Sequence, residues 1–115
     1  MVNIYGKTVF DADIATSASA IVTNAASSGK ILKINSLIIA NIDGSSAADI
    51  TATIQNAAGN SVSSTIANTV TVPADATLVL ISKDTSIYLE EDMSIHLAAS
   101  AAGDLSGTCS YEEIS

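Results

Sequence analysis

His96 and Cys109 are the only histidine and the only cysteine of the chain, and they are the first side chains to weigh for metal or nucleophilic chemistry. By alternation His96 lies on the polar face of its strand beside Ser94, with no carboxylate or thiol at ligand spacing. A zinc site needs three or four nitrogen, sulfur or oxygen ligands, which this pattern does not supply. Cys109 falls in phase with Leu105 and Tyr111 and reads as a small buried apolar residue. A nucleophilic thiol would need an activating base and an electropositive setting. The acidic run Glu90, Glu91 and Asp92, with Asp84 upstream, and the pair Asp11 and Asp13 carry oxygens of the kind Ca²⁺ binds, but their spacing fits no compact calcium loop. They read as solvated turns. Carboxylate-pair hydrolysis and sugar binding both favour clefts lined with aromatics, and the chain has only Tyr5, Phe10, Tyr88 and Tyr111. No glycine-rich phosphate loop, Gly-x-Ser-x-Gly elbow or His-Glu-x-x-His motif occurs. The expectation is a protein without catalytic apparatus, cofactor or metal.

The elements that would carry these residues are set by length and composition. At 115 residues the chain is one domain by size. Folding at that length removes roughly 60 % or slightly more of the unfolded surface from water. Apolar residues make up 48 % but aromatics only 3 %, so much of the apolar content is alanine, and the core is thin. A thin core predicts that subunit contacts supply part of the stability. Twelve acidic residues against four basic ones give a net charge of -8, which opposes nucleic acid and anionic membrane as partners. No run of about 18 apolar residues and no basic-then-apolar leader is present, so a soluble, unprocessed chain is expected. One cysteine allows no disulfide within the chain.

Short runs rich in Ile, Val and Thr recur between clusters of Gly, Asn, Asp and Ser, the pattern of strands joined by turns. The clearest is Lys30 to Asp43, where alternation puts Leu32, Ile34, Ile38, Ala40 and Ile42 on one face and Lys33, Asn35 and Asn41 on the other. Asp49 to Asn56 alternates strictly and stops at a turn over Ala57 to Asn60. Val62 to Val72 puts Val62, Ile66, Val70 and Val72 in phase, and Pro73 ends it. Thr77 to Ser82 is apolar on both faces, which fits a buried strand or one whose outer face meets another subunit. Ser86 to Leu89, Met93 to Ala99 and Leu105 to Ile114 complete the later part. Ile4 to Phe10 and the Ala/Ser-rich Ile14 to Thr23 are weaker, and Ile14 to Ser28 has the look of an arm. The fold class is all-β: a single-domain antiparallel sandwich of about eight strands, jelly-roll-like or Ig-like, with residues 1–28 as an N-terminal strand and arm and 29–115 as the core.

From Ser28 onward the order of features resembles small β-sandwich virion proteins of tailed bacteriophages. Gly29 to Asn41 is similar to their long strand before a turn of small residues. Val72 to Leu80 looks like their Pro-Ala turn and following strand, Tyr88 to Ile95 like the acidic turn that opens the penultimate strand, and Ser110 to Ile114 like the closing strand. The resemblance covers about the last three quarters of the chain and carries no active site. It implies a virion structural protein, in first place a capsid decoration (cement) protein that stabilises the head through β-edge and apolar contacts. Its expected partners are the major capsid protein or other virion proteins and further copies of itself, and its expected location is the virion, on the head surface ahead of neck or tail. A neck, tail or fibre-associated structural protein is the first alternative, and a cell-surface or glycan-binding module the second. The surface expected to mediate self-association or capsid contact comprises Leu37 and Ile39 on the second face of the long strand with Val79 and Ile81 of the doubly apolar one.

Overall fold

The computed structural model describes residues 2–56 and 61–115, and the turn expected over Ala57 to Asn60 lies outside them. Among the described residues nine strands form two antiparallel sheets: β1 (Ile4–Asp11), β2 (Ser19–Asn24), β3 (Ile31–Asn41), β4 (Ala48–Asn56), β5 (Val62–Val72), β6 (Thr77–Ile81), β7 (Ile87–Leu89), β8 (Met93–Ala99) and β9 (Leu105–Ile114). Sheet A runs β1-β9-β3-β6, with β7 also on β3, and sheet B runs β2-β8-β4-β5. The pairs β1/β9, β2/β8, β3 with β6 and β7, and β4/β5 are the rungs of one long antiparallel ribbon folded back on itself. Wrapping that ribbon adds the pairs β3/β9 and β4/β8 and gives the jelly-roll order. The sixth position of the ribbon is shared by β6 and β7, separated by a 3₁₀ turn at Lys83–Thr85.

Strand alternation fills the space between the sheets with Leu32, Ile34, Leu37, Ile39, Ile50, Ala52, Ile81, Leu89, Ile95, Leu97, Leu105 and Cys109, all buried. This corrects the expected contact surface. Leu37, Ile39 and Ile81 are core residues at 0 %, 0 % and 1 % exposure, and of the four only Val79 faces solvent. The cause is a bulge in β3: Ile34 pairs with Tyr111 and Ser36 with Ser110, leaving Asn35 as an extra residue. One inserted residue exchanges the two faces of everything beyond it. Leu32 and Ile34 therefore point inward as alternation predicts, whereas after the bulge Leu37, Ile39 and Asn41 point inward and Ile38 and Ala40 outward. A second irregularity, in β6 between Val79 and Ile81, brings Val79 opposite Ile38 on the outer face.

In β5 the in-phase set is broken as well. Thr69 adopts φ 49°, a left-handed conformation that is strained for a β-branched residue, and the register against β4 shifts on either side of Ala67. Ala67 and Val72 are buried while Val62 and Val70 are exposed.

The stretch expected to be an arm is part of the wall. Ile14 is fully buried, its N–H donates to the Leu105 carbonyl at 2.9 Å, and β2 pairs with β8. Its entry depends on Gly107 in β9, where a Cβ would stand 3.1 Å from Leu97 Cδ1 and 3.4 Å from Ile14 Cδ1.

Each pole of the sandwich is closed by a buried asparagine that ties one crossing to the next. At the pole holding both termini, Asn24 Nδ2 donates to the carbonyls of Lys30 (2.8 Å) and Leu89 (3.0 Å). At the opposite pole, Asn41 Nδ2 donates to Ser46 (3.0 Å) and Val72 (2.9 Å) carbonyls, and its Oδ1 accepts from Asp43 N–H. Asn41, expected on the polar face, is thus a buried staple.

Asn41→Leu leaves these backbone groups without their partner, at about 1–3 kcal/mol for a buried unsatisfied group, so denaturant unfolding should report a stability loss of at least that order. Thr69→Gly removes the left-handed strain while keeping the N–H that donates to Thr51 Oγ1, and the same measurement should show unchanged or higher stability, by up to about 1 kcal/mol.

Candidate assembly surface

The residues with chemical potential are spent on structure. Cys109 sits between the sheets, fully buried, and burial pushes its thiol up to about 12, so it is not a thiolate at neutral pH. His96 is on the polar face of β8 as expected, yet only 7 % exposed, with Nδ1 3.2 Å from Ser94 Oγ, which also lies 3.3 Å from the Gln55 carbonyl. Desolvation lowers its pKa. The acidic turn before β8 clamps neighbouring loops: Glu91 accepts the Gly29 N–H at 2.6 Å and Asp92 accepts Asn56 Nδ2 at 2.6 Å. Asp13 accepts the Gly103 N–H at 2.8 Å. Asp43 is held below the usual carboxylate range by the Ser45 backbone and hydroxyl and by Asp104, whereas Asp104 is raised by burial and by its contact with Asp43. Among the described residues no group of three His, Cys, Asp or Glu side chains is placed to hold a metal ion.

What the fold does expose is the outer face of sheet A. The ladder registers order it into rows that run across the strands. At the terminal pole the first row is Ile4 on β1, Ile114 on β9 and Ile31 on β3. Next come Gly6, Glu112, Lys33 and Tyr88, then Thr8, Ser110 and Ser36. The fourth row is Phe10, Thr108, Ile38 and Val79, and beyond it lie Ser106, Ala40 and Thr77. Two apolar rows thus flank two polar ones. Four of their members are open to solvent, Phe10 at 74 %, Ile4 58 %, Val79 56 % and Ile31 43 % exposure, while Ile38, Thr108 and Ile114 are half-buried. The sole charges in these rows, Lys33 and Glu112, are directly opposite one another and cancel. The outer face of sheet B differs: among the described residues its central strands carry Thr51, Thr53, Gln55, Ser94 and His96, with the exposed Val62 opposite Gln55 on the edge strand.

Of the expected contact residues this surface keeps Val79 alone. It adds Phe10, Ile38, Ile4, Ile31 and Ile114. The signal for Ile38 was in the sequence as the polar pair Asn35 and Ser36 interrupting an apolar run, which marks the bulge. Phe10 was legible as an aromatic in phase with Ile4 and Thr8 rather than with Val9.

The free edges differ in how they are guarded. β1 pairs with β9 in unbroken register over eight residues, with neither Pro nor bulge, and Lys7 bonds Glu113 at 3.3 Å. Lys30 reaches Glu113 too, and the two ammonium groups hold that carboxyl below its ordinary range against the opposing effect of burial. β5, the far edge of sheet B, is bent by the Thr69 irregularity, a feature that discourages edge pairing.

No protein-family model and no curated protein sequence matches the chain. Solved structures do. One is a chain from Bacillus endospore appendages, described as a novel family of disulfide-linked pili, with a TM-score of 0.55 and 13 % identity over 98 % of this chain and 88 % of that one. Another belongs to the Gx strain of infectious bursal disease virus, with a TM-score of 0.53 and 11 % identity over 99 % of this chain. The likeness is one of fold. This chain spans 33 % of the viral chain, so it matches one part of that larger protein.

A buried histidine with a lowered pKa binds its proton less readily in the folded than in the unfolded state. Stability should therefore fall as pH drops below about 6.5, the unfolded value, towards the folded pKa. Denaturant unfolding between pH 7 and pH 5 should show this decline in the parent and a flatter profile in His96→Gln. The Asp43 and Glu113 contributions, from carboxyls held low, are lost only at more acid pH.

Proposed function

We propose that this chain is a structural subunit of a virion, a capsid decoration protein of the tailed-phage kind, and that the outer face of sheet A is its principal contact surface. The observation that carries the reading is the pair of exposed apolar rows on a face of zero net charge, in a chain whose total charge is -8. Exposed apolar rows of this kind mark interaction sites. The likeness of feature order to phage virion sandwiches supports it, and so does a fold shared with a viral protein. The reading is structural rather than enzymatic: His96 and Cys109 are packed into the sandwich, and Asp13, Asp43, Glu91 and Asp92 bond neighbouring loops. Neck or tail location involves the same chemistry and is separated from the head by copy number.

A second reading has an observation of its own. The pilus chain is matched over 88 % of its length, which favours a subunit of an extracellular fibre. Such a fibre would be non-covalent here at Cys109, whose thiol is enclosed in the core.

Particle reconstruction and quantitation test both. Density for the sandwich on the head lattice, at a copy number matching capsid sites, is the expected result. Phe10→Asp should fold normally and be depleted from particles. Absence from particles, or incorporation of Phe10→Asp at parent level, overturns the assignment of this face.

A further inference from the structure

Resting on the reading of sheet A as a contact surface, we infer that its occupant is a second copy of this chain, packed face to face in an antiparallel, twofold-symmetric dimer.

The row order is self-complementary. A twofold axis lying in the face, across the strands and midway between the Gly6 row and the Thr8 row, exchanges the first row with the fourth and the second with the third. Ile4 of one copy then meets Phe10 of the other, and Ile31 meets Ile38. In the same arrangement Lys33 and Glu112 face Ser36 and Ser110, whose hydroxyls can accept from the ammonium and donate to the carboxylate. No apolar row is set against a charged one. An isologous interface demands this property of a single patch, since every contact must occur twice. A partner of unrelated sequence would place no such demand on the spacing.

Charge points the same way. Two molecules of net charge -8 repel across most approaches, and the repulsion acts within about 10 Å at ordinary salt. Six of the twelve acidic residues, Asp11, Asp13, Asp43, Asp49, Asp75 and Asp104, lie at or beside the pole away from the termini, off the two apolar rows. The central rows of sheet A bring only Lys33 and Glu112, so copies can meet there without a like-charge penalty.

The size suffices. Four strands at about 4.8 Å spacing and eight residues at about 3.4 Å give a face of about 500 Å², hence about 1,000 Å² for the pair. That is close to the lower limit of specific interfaces, about 1,000–1,200 Å².

Analytical ultracentrifugation of the whole chain, up to about 100 μM, provides the test. The parent should sediment at twice the chain mass at the upper concentrations. Phe10→Asp alone and Ile4→Lys alone should each shift to one chain mass, with folding checked by unchanged circular dichroism and thermal midpoint. An equimolar mixture of the two variants should recover the doubled mass, because position 4 of one copy faces position 10 of the other and the new charges then attract. A parent that stays monomeric overturns the inference, as does a dimer indifferent to both substitutions or a mixture that stays monomeric. Incorporation into particles by a monomeric parent would leave the proposed function standing while removing the self-pairing.

Discussion

Ten residue pairs between β3 and β9 join the middle of the chain to its end, from Ile31 with Ile114 to Asn41 with Leu105. Everything else in the sandwich hangs on that ladder. β1 is held to sheet A only through β9, and β6 and β7 only through β3. Because the partners are separated by 64 or more residues, closing the ladder means ordering most of the chain first, a loop-closure entropy that local turns cannot offset. Non-local pairing of this kind makes a jelly roll slow to fold and cooperative once formed. The thin core is adequate because the ladder aligns two complete sheets and lets Ile, Leu and Val side chains from both interdigitate.

The same ladder decides which residues are inside. Had β3 been regular, alternation would have buried Ile38 and Ala40 and exposed Leu37 and Ile39. The extra residue at Asn35 reverses that choice. Both faces of β3 are apolar in its second half, so hydrophobicity cannot select between the two phases, and only the irregularity does. Where one face is plainly polar the sequence was legible: Ile50, Ala52 and Ile95 occupy the inner face as their alternation requires, and Cys109 is buried with Leu105. Ile14 was less so, since a lone isoleucine in an Ala/Ser-rich stretch gives no period, and its burial depends on Gly107, adjacent in space but far along the chain. The contact surface itself was the least legible feature, because a row joins residues from four strands whose relative registers no single segment encodes.

Charge and hydrophobicity are sorted by direction in this molecule. Asp11, Asp13, Asp43, Asp49, Asp75 and Asp104 gather at the pole away from the termini, where Asp43, Asp104 and Asp13 interact and the first two share a hydrogen bond, while Glu90, Glu91 and Asp92 form a second acidic group at the terminal pole. The basic residues Lys7 and Lys30 are drawn to Glu113 at the other pole. The sheet A face between the poles is left nearly uncharged, so charge and exposed apolar area occupy different parts of one surface.

The backbones of Asn3 and Ser115 exchange hydrogen bonds at 3.0 and 2.9 Å, continuing the β1/β9 ladder to the two ends of the described chain. Tension applied between those ends would peel the ladder open one rung at a time, the geometry in which paired strands resist force least. Tension transmitted from one broad face to whatever lies against it would instead load many contacts at once. The sandwich thus resists load across its faces better than along its chain.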